Sequence, residues 1–191
     1  MEFVAIDFET INQYCNSACS IGLAKMNEKG EVLDQYYTLI RPKILFFDPR
    51  CMAIHGLCEN DIKCAESFDM LWPEIKEFIG LNPLVAHNAA FDINVLKGTL
   101  ASYGITVPQY EYYCTLQMSR KLLPFHSSYS LTRIVPELLD ITYNAHNAAD
   151  DAYVCGLLFC YILKREAIKD KEDLDDYLQY KGSRYPKTIS L

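Results

Sequence analysis

The segment Phe3-Val4-Ala5-Ile6-Asp7-Phe8 constrains this chain most, because its apolar residues occupy odd and even positions alike. A β-strand sends alternate side chains to opposite faces, so such a segment is stable only inside a sheet covered on both sides. Two further strands are predicted, Ser20 to Met26 and Val32 to Leu39, joined by the turn cluster Asn27-Glu28-Lys29-Gly30. Three strands therefore precede any clear helix.

Helical spacing of Phe68, Leu71, Ile75, Phe78 and Ile79 predicts a helix over Ser67 to Ile79, closed by Gly80. A short strand, Leu84 to Ala86, follows. The next helix is expected from Ala89 to Tyr103, with Asn88 as its N-cap and Gly104 as its stop. Tyr110 to Cys114 reads as the last strand. Thr115 to Leu122 and Ser130 to Leu139 read as short helices, the second kinked or split at Pro136. A longer helix runs from near Asn147 to about Ile168.

Hairpin strands followed by alternating helices and strands give an α/β fold: a mixed central sheet of about five strands, with helices on both faces. Residues 1–165 are expected to form one domain, and 166–191 a charged tail made of a surface helix and a loose terminus. The other reading of that tail is a basic contact arm using Lys181, Arg184 and Lys187.

Composition narrows the functional classes. No apolar stretch approaches the roughly 20 residues that a bilayer span needs, and the start lacks a positively charged region before its apolar run. A cytoplasmic protein without membrane contact is the expectation. The eight cysteines include no Cys-x-x-Cys pair, so reduced thiols are expected rather than zinc or disulfides. A formal net charge of −7 disfavours broad, charge-driven binding to nucleic acid, but not an enzyme that grips a strand end with a few contacts.

The acids then draw attention. Asp7 and Glu9 stand two residues apart at the end of the first strand, so their carboxylates leave the same face. Taken alone, this pair could be a strand end meeting solvent. Asp92 lies in the first turns of a helix and shares its face with Val95 and Leu96, so it points into covered space. An inward acid without a partner is costly, which favours cation binding. His146 and Asp151 are five apart and converge only if His146 lies in the loop before the helix. Asp150 is read as a helix N-terminal acid favoured by the macrodipole. Four carboxylates, Asp7, Glu9, Asp92 and Asp151, can share one cleft only with protons or cations between them. Two Mg²⁺ or Mn²⁺ ions balance their charge and suit phosphoryl displacement, with His146 placed to take a proton from the attacking water.

These segments resemble the DnaQ-like, or DEDDh, 3′-to-5′ exonucleases. Phe3 to Thr10 is similar to the family's first motif, Val85 to Asp92 with its His-Asn-Ala-x-Phe-Asp core to the second, and His146 to Asp151 to the third. Ile54-His55-Gly56-Leu57 is similar to the segment near the substrate terminus. The resemblance implies a ribonuclease H-like fold in which Asp7 bridges two metals, Glu9 and Asp151 hold the water-activating metal, and Asp92 supports the other. It makes His146 the general base and a 5′-mononucleotide the product. Phe8, Thr10, Ile54, His55, His87, Asn88 and Phe91 then occupy substrate-binding positions, with a supporting role the alternative for His87. The implied partner is a single-stranded or frayed 3′ end, DNA before RNA, together with a polymerase or other replication protein. An exoribonuclease and a non-catalytic polymerase-accessory protein are the alternatives. Two departures stand out: Cys114-Thr115 where the family often has Asp-Thr, and the bulky Phe8 between the first two acids, which could alter how the terminal base stacks. Oligomeric state stays open.

Overall fold

A computed structural model describes residues 1–182 and 186–189; Arg184, part of the basic-arm reading, lies outside the described residues. Six strands form one sheet in the order β3-β2-β1-β4-β5-β6. β1 (Glu2–Thr10) is antiparallel to β2 (Ala18–Asn27) and parallel to β4 (Leu84–Ala86). β3 (Val32–Leu39) pairs antiparallel with β2, and β5 (Glu111–Cys114) parallel with β4. The expected hairpin turn is present: Asn27 Oδ1 accepts from the backbone N–H of Lys29 and of Glu31, and Gly30 takes φ 84°.

Eight helices complete the described fold: α1 (Pro49–His55), α2 (Glu59–Cys64), α3 (Phe68–Ile79), α4 (Ala90–Ser102), α5 (Thr115–Leu122), α6 (Leu131–Leu139), α7 (Ala148–Arg165) and α8 (Lys171–Tyr180). Phe3, Val4, Ala5 and Ile6 are all fully buried, so both faces of β1 are covered, as its pattern requires. α7 lies on the face of the odd-numbered residues, where the Phe3 and Phe159 rings meet edge to face with centroids 4.9 Å apart. Small residues let it approach closely. A Cβ on Gly156 would fall 2.4 Å from Met26 Sδ, and one on Gly22 would fall 2.0 Å from the Ala148 carbonyl oxygen. The start of α7 is thereby pressed against β2, on the face from which Asp7 emerges.

Several boundaries differ from the sequence expectation. Asn88 is not the N-cap of α4: it takes φ 63°, and its backbone carbonyl accepts from Phe91 N–H at 2.8 Å. A left-handed asparagine is tolerated because its short polar side chain can bond locally. α6 continues through Pro136 without splitting. α7 ends at Arg165 rather than near Ile168, with Ala167 at φ 58°. α1 and α2 were not anticipated, being too short to show apolar periodicity.

The sheet also continues past β5. β6 (Lys187–Thr188) pairs antiparallel with it, and two residues leave no pattern to read. The segment expected as a surface helix and a loose terminus is tied to the core. Leu174 and Leu178 of α8 are fully buried, Ile189 is 2% exposed, and the Tyr113 hydroxyl donates to Asp175 Oδ1. Among the described residues no helix is long and apolar enough to cross a membrane.

Candidate active site

A cavity of about 710 Å³ opens where β1, the β4–α4 turn, α5, the α5–α6 connection and the start of α7 meet. Asp7, Glu9, His146 and Asp151 line it, as do Phe8, His87, Asn88 and Phe91. Its volume falls within the range of ordinary ligand pockets, roughly 300–1,000 Å³.

Local folding explains the convergence of the third motif. His146 sits in the loop before α7 with φ 65°, and its backbone N–H donates to Asp151 Oδ2 at 2.7 Å. Asn147 caps the helix by accepting from Ala149 and Asp150 N–H. This turn brings His146 back beside Asp151, which one continuous helix could not do. One ligand atom from each of Glu9, His146 and Asp151 lies within 4.8 Å of the others. That group contains His146, and Asp7 and Asp92 stand beside it rather than within it.

Asp92 is 1% exposed, and its Oδ1 accepts from Phe8 N–H at 3.1 Å. The helix thus points its acid inward against the strand that carries Asp7. Phe8 contributes that N–H while its ring is buried at 2% exposure, so the ring is packed in the core rather than presented for stacking.

Electrostatics mark the acids as strained without a counter-charge. Burial, then the neighbouring charges of Asp92, Asp151 and Glu9, hold the Asp7 carboxyl well above the usual carboxylate range. Asp92 is raised chiefly by burial, against the lowering effect of the Phe8 N–H. Glu9 is pushed from 4.5 up to about 8 by burial and then by Asp151. Asp151 is raised by burial, partly offset by the His146 N–H. A set of hard oxygen donors in this state, Asp92 and Asp151 buried and Asp7 and Glu9 half-buried, fits divalent cations, which would replace the protons.

The raised values fix the sign of a pH effect. A folded Glu9 near 8 binds protons that the unfolded chain has lost above about 4.5, so the stability it contributes is present below pH 4.5 and is lost as pH rises through about 8. At about 1.4 kcal/mol per pH unit, the effect is a few kcal/mol at most. In EDTA, the thermal midpoint should therefore fall between pH 6.5 and pH 8, above the range in which His87, with its pKa lowered to about 4, acts in the opposite direction, and Mg²⁺ at pH 8 should restore it. A midpoint that stays level or rises over that interval in EDTA would contradict the burial of these acids.

The other sequence-predicted residues divide into two groups. Asn88 and the 45%-exposed Phe91 face the cavity. Thr10, Ile54 and His55 are not among its lining residues. His55 Nδ1 accepts from Leu57 N–H at 3.1 Å, leaving the Nε2 proton towards Cys19 Sγ at 3.7 Å. Its pKa is lowered, first by burial. His87 has both ring nitrogens engaged: Nε2 donates to the Tyr129 carbonyl and Nδ1 accepts from the Thr115 hydroxyl, each at 2.9 Å. Burial pushes its pKa down to about 4, which keeps it neutral.

Sequence reasoning missed Arg120, Leu116 and residues 127–132 of the cavity wall, since serines and a lone arginine between short helices carry no spacing signal. It also missed Tyr143, whose hydroxyl stands against Asp151 and whose pKa is raised by burial and then by that carboxylate.

Comparison with known proteins agrees with this arrangement. The sequence model of the RNase_T exonuclease family matches residues 4–159. The DNA polymerase III PolC-type protein of Thermotoga petrophila is 30% identical over 186 residues, covering 93% of this chain and 13% of that protein. DNA polymerase III subunit epsilon of Aquifex aeolicus is 27% identical over 180 residues, covering 94% of this chain and 88% of that one. The chain thus spans only 12–13% of the length of the PolC-type relatives it matches. Exonuclease X, solved with 5′-overhanging duplex DNA, superposes with a TM-score of 0.73 at 23% identity, covering 91% of this chain and 98% of that one. A zinc-bound complex of E. coli exonuclease I with single-stranded DNA gives 0.78 at 15%, covering 94% and 43%. At such identities the likeness speaks to the fold, which is ribonuclease H-like. A family match over most of the chain, on a fold that gathers the acids of all three motifs, establishes that this protein belongs to the RNase_T exonuclease family, within its DnaQ-like, DEDDh type.

Proposed function

We propose that the chain removes nucleotides one at a time from the 3′ end of a nucleic acid strand, DNA favoured, and releases 5′-mononucleotides by a two-metal-ion hydrolysis. One observation carries the reading: Asp7, Glu9, Asp151 and His146 line one cavity, with the buried Asp92 held against the strand behind them. Asp7, Glu9, Asp92 and Asp151 would hold the cations. Bound Mg²⁺ or Mn²⁺ supplies positive charge to the phosphate and lowers the pKa of water.

The chain's own residues carry the remaining tasks. His146, exposed at the cavity, takes the proton of the attacking water on its imidazole, and its backbone is fixed by the bond to Asp151. Phe91 offers a half-exposed ring on which a base can stack. Asn88, freed from capping, turns an amide towards base or sugar. Thr10, Ile54 and His55 would act at the margin of the terminal nucleotide.

DNA is favoured because the relatives named above are DNA polymerase III proteins and two of the structural neighbours were solved with DNA. A polymerase or other replication protein follows as the proposed partner. RNA trimming is the second reading, supported by the neighbour 3′hExo, solved with rAMP. Its test is a time course with Mg²⁺ on 5′-labelled single-stranded DNA, a mismatched duplex and RNA of one sequence. Faster stepwise shortening of the DNA strands is expected. Faster shortening of RNA would make the chain an exoribonuclease, and tight binding without shortening would overturn the catalytic reading.

A further inference from the structure

The cavity wall contributed by α5 and the α5–α6 connection differs in character from the acid cluster. Arg120 is the only lysine or arginine among the described residues that line the cavity. It takes part in none of the ion pairs among the described residues. Beside it on the same wall stands a chain of hydroxyls, Ser128 Oγ to Ser130 Oγ and Ser130 Oγ to Thr132 Oγ1, each pair 3.2 Å apart.

This wall is held in place. Tyr129 is pinned at both ends, since its carbonyl accepts from His87 Nε2–H at 2.9 Å and its hydroxyl donates to the Leu123 carbonyl at 2.7 Å. His126 Nδ1 bonds Glu137 Oε1 at 2.8 Å. The half-buried His87 thus ties the connection to the turn that presents Asn88 and Asp92. Hydroxyl donors and a guanidinium on a fixed wall suit a tetrahedral oxyanion.

Charge says why such a group is needed. A chain of net charge −7 with four acids in its site repels a polyanion, so a single unpaired arginine in the cavity weighs heavily. We propose that Arg120 and the hydroxyls of Ser128, Ser130 and Thr132 form a subsite for a backbone phosphate other than the one being cut, giving preference for a strand over a single nucleotide. This rests on the exonuclease reading above. The chemistry is shared by DNA and RNA, whose backbones carry the same phosphate.

The test compares DNA and RNA 12-mers with the p-nitrophenyl ester of thymidine 5′-monophosphate, which has no second phosphate. Arg120→Gln should raise KM for the 12-mers about tenfold with kcat nearly kept, and reduce the slope of log KM against log salt by about 0.7. Ester hydrolysis should be unchanged, and Arg120→Lys should recover most of the loss. Parallel loss on the ester, an unmoved salt slope, or a loss confined to one sugar type would overturn the subsite. Should the wild-type protein cut none of these substrates, the exonuclease reading itself fails. The subsite is then read from 12-mer binding in Ca²⁺: a tenfold weaker Kd in Arg120→Gln supports it, and an unchanged Kd overturns it.

Discussion

Asp7→Asn is expected to reduce strand shortening by about 10³-fold or more while raising the thermal stability of the metal-free protein. Both effects come from one cause. Asp7 is the acid whose carboxyl is raised by all three of the others, after burial itself. On the proposed reading, removing its charge weakens the cation site, and it also relieves repulsion among crowded carboxylates. Asparagine matches aspartate in shape, so packing of β1 against α7 is kept. Gain in stability with loss of function is the expected signature of a strained functional site. Turnover within tenfold of wild type, or a lower thermal midpoint in EDTA, would contradict the role given to Asp7.

His146 provides the second large effect. Its replacement should cost about 10²- to 10⁴-fold in turnover, the range for a general base, with the number of bound cations preserved. The bond to Asp151 comes from the His146 backbone, so it survives any side-chain change except proline. Alanine is poorly suited to φ 65°, and His146→Asn keeps the left-handed turn. Calorimetry with Mn²⁺ and single-turnover rates separate the two roles open to this residue. Loss of rate with retained cation binding assigns it as base. Loss of a bound cation would instead make it a ligand, which its place within 4.8 Å of Glu9 and Asp151 atoms also permits.

The sheet and its acids were legible for physical reasons. β1 is buried on both faces, and such a strand has to be central. Asp92 shares a helix face with Val95 and Leu96, and it is buried where that face meets β1. The five-residue spacing left His146 able to meet Asp151 if it lay in the loop before α7, which is where the structure places it. What escaped was local and short. α1 has Asp48 as a side-chain cap, Pro49 in its first turn and Gly56 at φ 68°, and these punctuation marks could have revealed it, though no apolar stripe does. β6 pairs over two residues whose place depends on α8 folding back along β5. The role of His87 as a strut could not be read from sequence, because Thr115 and Tyr129 lie 28 and 42 residues away.

Direction, end and metal dependence together form the central claim, and one measurement reads all three. A single-stranded DNA carrying one label at its 5′ end and another on its 3′-terminal nucleotide is incubated with the protein in Mg²⁺ and in EDTA. The account predicts immediate release of the 3′ label as a mononucleotide and a descending ladder of 5′-labelled strands, both abolished by EDTA. Release of the 5′ label first, internal fragments without a ladder, or shortening that persists in EDTA would contradict it.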